Sequence, residues 1–178
     1  MDETRVHRLR EEIRNVTLTD MGDECFYPKL EGDSVPWLWE SAKEFAEFLG
    51  YQVRLIEPSD PKIEGLIDFN RENRHIGVSH NQSPDQRTIV LLHELGHLLA
   101  TFPTTFLCPH DDCPEHGCAE TVAEAIAYLA AEYLGLACQA RCLPRIATYA
   151  ALSKALDEPG LRGVILTNAN ILVKVLTQ

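Results

Sequence analysis

Residues 83–100 read SPDQRTIVLLHELGHLLA, and this stretch decides the fold. Ser83 is placed to cap a helix, Pro84 suits the first helical position, and Gln86 completes a capping box with Ser83. The run that follows has the apolar density of a helix buried on most sides, and Pro103 is placed to stop it. Upstream, residues 51–57, 65–69 and 75–79 alternate as short strands, the last two joined by the polar turn 70–74. Residues 36–49 read as a helix with Pro36 in its first turn, apolar anchors at Trp39, Phe45 and Phe48, and Gly50 to end it. Downstream, 104–118 reads as a loop and 120–134 as a helix closed by Gly135. Segments 144–156 and 159–176 read as two further helices, each with a proline near its start.

Strands grouped ahead of a run of helices predict an α+β fold, mainly helical, with a small three-stranded sheet before the HELGH helix. Residues 1–35 are expected to form a charged helix, with Val6, Leu9 and Ile13 on one face, and an irregular Asp-, Gly- and Pro-rich arm. Residues 36–178 are expected to form one domain, with its core in 45–136 and C-terminal helices in 139–178.

The chain has 178 residues, 45% of them hydrophobic and 24% charged, which is the composition of an ordinary globular domain. It contains no apolar run near the ~20 residues that a membrane-spanning helix requires. The opening MDETRVHRLREEIRNV has no apolar core, so no secretory signal is expected and a cytoplasmic location is. In a reducing compartment the six cysteines are not expected to form disulfides by default. A net charge of −11 opposes nucleic-acid backbones and anionic membranes, so neither is an expected partner. Residues 139–178 nonetheless carry five Lys/Arg against two Asp/Glu. That excess reads either as a basic tail offsetting the acidic body or as a contact surface.

HELGH fits the pattern H-E-x-x-H. Residues four apart on a helix differ by about 40° in direction, so His93 and His97 project from one face. Both imidazoles can then reach one Zn2+ ion, which lowers the pKa of a water molecule held there. Glu94 flanks the same face and is the expected general base. A catalytic zinc ion takes a third protein ligand, to be sought on a facing helix. In the segment CAETVAEAIAYLAAEYLG, Glu124 sits among small and apolar residues, where an unpaired charge is costly, and is the expected ligand. Glu120 is the alternative ligand, or else an acceptor for a histidine N–H. Tyr128, His75, His80, His110 and His116 are candidates to stabilise the transition state; Tyr128 shares a face with Glu124. Cys138 and Cys142 read as packing residues. In CPHDDCPEHGC, the residues Cys108, His110, Cys113, His116 and Cys118 offer a compact set. A second or regulatory metal, a disulfide and a plain thiol-bearing loop all fit that spacing.

HELGH in an apolar helix, followed 27 positions after His97 by Glu124 in AEAIAY, resembles the ImmA/IrrE family of metallopeptidases. The resemblance covers roughly residues 45–136. It implies a zincin-like (gluzincin-like) fold, a Zn2+ cofactor, and His93, His97 and Glu124 as ligands. It also implies hydrolysis of a peptide bond in one regulatory protein inside the cell, often a helix-turn-helix transcriptional repressor. The strand HIGVS, residues 75–79, stands where the family has an edge strand able to pair with an extended substrate. The Cys/His-rich insertion and the lack of a recognisable helix-turn-helix depart from the family pattern. A catalytically silent domain that docks a partner protein, such as a phage or mobile-element factor, is the alternative reading.

Overall fold

The structure, a computed structural model, describes residues 1–16, 27–70, 72–100, 114–153, 155–157 and 159–178. The elements run α1 (Glu3–Arg14), α2 (Pro36–Phe48), β1 (Gln52–Ile56), β2 (Gly65–Asp68), β3 (His75–Ser79), α3 (Pro84–Ala100), α4 (Pro114–Tyr133), α5 (Gln139–Ser153), a short 3-10 turn (Ala155–Asp157) and α6 (Pro159–Leu176). The fold is α+β and mainly helical. Among the described residues, no helix is long and apolar enough to cross a membrane.

The three strands form one mixed sheet in the order β1-β3-β2, with β3 parallel to β1 and antiparallel to β2. The strand expected at the edge, β3, is therefore central. Its side chains explain the placement: Ile76 and Val78 are fully buried, whereas Leu55 on β1 and Leu66 on β2 stay exposed. A strand covered on both faces and paired on both sides reads as continuously apolar. The edges fall to β1 and β2 instead.

Helix α3 starts as its sequence indicates, with Ser83 Oγ accepting from the Gln86 backbone N–H at 3.2 Å. The capping box is not closed, because the buried Gln86 side chain is engaged elsewhere. It accepts from the Leu30 N–H at 2.8 Å and donates to Glu64 at 3.0 Å. Asp85 accepts from the Ser34 N–H at 2.9 Å, so residues 30–34 of the arm are fastened to the start of α3.

Helix α4 packs against α3, α5 and α6, while α2 and the sheet cover the other side of α3. Two boundaries and one buried face differ from expectation. Pro114 opens α4 inside the segment read as loop, since proline is well suited to a first helical turn. Helix α5 begins at Gln139, not Pro144, because the Cys138 carbonyl already accepts from the Arg141 and Cys142 N–H groups. On α2, Leu38, Ala42, Phe45 and Ala46 form the buried stripe, and Phe48 is 84% exposed. Gly50 and Gly135 both take positive φ (86° and 93°), where glycine is free of the Cβ penalty, and they end α2 and α4.

A candidate metal centre between two helices

His93, Glu94 and His97 lie on α3, and Glu120 and Glu124 lie one turn apart on α4. The two helices approach closely at Gly96. A Cβ built there would stand 2.8 Å from the Ala123 carbonyl oxygen and 3.0 Å from its Cα. Glycine inside a helix costs about 1 kcal/mol relative to alanine. Here it lets the facing helices come within reach of one ion. Gly96→Ala gains that propensity term but presses on backbone that has no rotamer to yield. Overpacking costs ~1–3 kcal/mol, so a net loss of stability is expected. Denaturant unfolding of the ion-free protein checks it, and an unchanged or raised midpoint would contradict the tight contact.

The Nε2 atoms of His93 and His97 are 3.0 Å apart, with the rings edge to face at 87°. Glu120 faces both, with one carboxylate oxygen 3.3 Å from His93 Nε2 and the other 3.2 Å from His97 Nε2. A tetrahedral ion with bonds of ~2.0–2.1 Å holds its donors about 3.3–3.4 Å apart. The three separations fall close to that edge length, so these residues fit a metal ion; their donor atoms all lie within 4.8 Å of one another.

Glu124, the expected ligand, is placed differently. Its Oε2 lies 2.8 Å from Nδ1 of His93, on the far side of the ring from the Nε2 pair. That approach is short but out of line for a well-formed N–H···O bond. Its other partners are guanidinium groups: Arg141 Nη1 donates to Oε1 at 2.8 Å, and Arg145 Nε to Oε2 at 3.3 Å. Glu120 thus takes the position expected for Glu124, and Glu124 stands behind His93. Both carboxylates share one face of α4. The turn nearer the two Nε2 atoms is the one that the helix crossing selects.

Tyr128 is also placed away from the site. Its hydroxyl donates to Oε2 of Glu12 on α1 at 3.0 Å. Each residue advances a helix by ~1.5 Å, so Tyr128 lies about 12 Å along the axis from Glu120. His75 and His80 bond the Asn73 and Ile56 carbonyls, and neither lines the cleft. Cys108, His110 and Cys113 lie outside the described residues, as does the side chain of His116. Cys118 is half-buried near the start of α4.

A cleft of about 360 Å³ opens onto the centre. Its walls include Glu64–Ile67 and Phe69 on the sheet side, His93, Glu94, His97 and Glu120 at the base, and Arg141 and Arg145 from α5. Sequence reasoning missed Glu64, Arg141 and Arg145. The available signal was a pair of arginines four apart in an otherwise small and apolar segment. These two residues of the basic tail point inward and do not form a contact surface.

Glu94 borders the closest approach of β2. A Cβ on Gly65 would lie 2.7 Å from Glu94 Oε1 and 2.5 Å from Val90. Burial raises the Glu94 pKa against the lowering effect of His93 and His97. Glu124 is 0% exposed, and burial alone would raise its pKa, but Arg141, Arg145 and His93 hold it well below the usual carboxylate range. Burial lowers the His93 pKa, yet its contacts with Glu120 and Glu124 win and raise it to about 10.

Residues 48–134 match the family model for Peptidase_M78, the IrrE N-terminal-like domain. Over these residues the chain is similar to the ImmA/IrrE family. No curated protein and no solved structure matches the chain. The match therefore takes in the sheet, α3 and all of α4, and it supports a metallopeptidase-like fold with a His/His/Glu group able to hold a metal ion. Helix α5, which supplies Arg141 and Arg145, lies beyond the matched residues.

Proposed function

We propose that this protein is a zinc-dependent endopeptidase of the cytoplasm, with His93, His97 and Glu120 as metal ligands and Glu94 as general base. The observation that carries this reading is the spacing of the three donor groups, set beside a buried carboxylate at the base of an open cleft. A bound Zn2+ would supply Lewis acidity and make water a competent nucleophile near neutral pH. Glu94 takes the proton from the attacking water and passes it to the leaving amine. Glu124 stands behind His93, 2.8 Å from its Nδ1. The free edge of β2 lines the cleft and is the strand to which an extended substrate would pair. The family likeness favours a single regulatory protein, such as a transcriptional repressor, as substrate. The test is to sequence new N-termini produced by the zinc-loaded protein from a cell extract, with a chelator and Glu94→Gln as controls.

The raised His93 pKa sets a pH dependence. In the ion-free protein, protonated His93 stabilises the fold fully below its unfolded value near 6.5, and that contribution is lost as pH rises through about 10. An incoming ion must displace this proton, so apparent ion affinity is expected to increase with pH up to about 10. Calorimetric titration at pH 7 in buffers of different ionisation enthalpy should show about one proton released per ion. Uptake with no proton release would contradict this picture.

A further inference from the structure

Arg141 is 2% exposed and ties together two parts of the cleft. Its Nη1 donates to Oε1 of Glu124 and its Nη2 to Oε2 of Glu64, each at 2.8 Å. The opposite oxygen of Glu124 faces His93 Nδ1, so the carboxylate is bracketed between a guanidinium and an imidazole. Glu64 in turn accepts from Gln86 at 3.0 Å, and its carbonyl accepts from the Ser79 N–H at 2.9 Å. It immediately precedes Gly65, the residue of β2 that abuts Glu94. Arg145 repeats the bridge more loosely, at 3.3 Å to both glutamates.

We infer that Arg141 is a positioning residue for the metal centre: it fixes Glu124 behind His93 and, through Glu64, ties the substrate-facing strand to the same carboxylate. This rests on the function proposed above. The chemistry favours arginine specifically. Its planar fork can bond two carboxylates at once from one buried position, whereas a lysine ammonium acts as a single point charge. Without the fork, one of the two carboxylates loses its anchor, and a Glu124 no longer fixed between guanidinium and imidazole would not orient the ring that it backs. The partner sits on α5, so the centre is completed by a part of the chain outside the family-matched residues.

Arg141→Lys tests the inference, with cobalt(II) as the probe ion and the full-length chain as the protein. Affinity is read by competition with a chelator, and ligand geometry by the visible absorption of the cobalt-loaded protein. Loss of an outer partner of a ligating histidine typically weakens binding 10–100-fold. A loss of that size, with a shifted cobalt spectrum, is expected. A merely structural arginine would lower the melting temperature yet leave spectrum and affinity at wild-type values, and that result overturns the inference alone. Failure of the wild-type protein to bind cobalt would overturn the proposed function and the inference together. If Arg141→Lys does not fold, Glu64→Gln removes one anchor of Arg141 at the half-buried end of the network. It is expected to shift the spectrum and weaken binding about three-fold or more by the same route; wild-type behaviour in that variant overturns the inference.

Discussion

Replacing Glu94 with glutamine is expected to leave ion binding and fold intact and to lower peptide hydrolysis by about 10³-fold or more. General acid–base catalysis contributes ~10²–10⁴-fold, and glutamine keeps the shape of the side chain while losing its proton-accepting oxygen. The surroundings leave little room for a substitute. Gly65 closes over Glu94 from β2, and burial brings the carboxyl pKa upward, toward the range where a base can both take and return a proton. Cleavage assays on wild type and Glu94→Gln, with ion content measured on both, check this. If the variant carries its ion and affects a partner protein as strongly as wild type does, the domain acts by docking and not by hydrolysis.

The second large effect separates the two glutamates of α4. Glu120→Ala is expected to weaken zinc binding a few hundred-fold. Apparent binding free energies of ~10–16 kcal/mol shared over four ligands correspond to roughly 2.5–4 kcal/mol for each. Glu124→Gln keeps all three proposed ligands and should weaken binding only ~10–100-fold, as loss of an outer partner does. Its stability cost should be the larger of the two. Arg141 and Arg145 would lose their buried counter-charge, and breaking such a pair costs about 3–5 kcal/mol. Chelator competition and thermal melting on both variants give the two rankings. The reverse affinity order would make Glu124 the ligand.

Local signals carried much of this. The Ser83 cap, the HELGH face, the glycines at 50 and 135 and the three strands all stand near where their residues place them. Each of these depends on neighbours within a few positions. What the sequence left open depends on contacts across the chain. Strand order is one case, because adjacency in sequence does not say that β3 sits between β1 and β2. The choice between Glu120 and Glu124 is another. Helical periodicity puts both on one face, and only the crossing of α3 over α4 at Gly96 decides which turn meets the Nε2 atoms. Tyr128 fell to the same ambiguity one turn further along. Glu64 and Arg141 are separated by 77 positions, and no periodicity links a residue ahead of a strand to one in a distant helix.

The most direct measurement is anomalous diffraction at the zinc edge from crystals of the zinc-loaded protein. One peak is expected about 2.0–2.2 Å from Nε2 of His93, Nε2 of His97 and a carboxylate oxygen of Glu120. A peak bonded to Glu124 in place of Glu120, or no peak between the two histidines, would contradict the account.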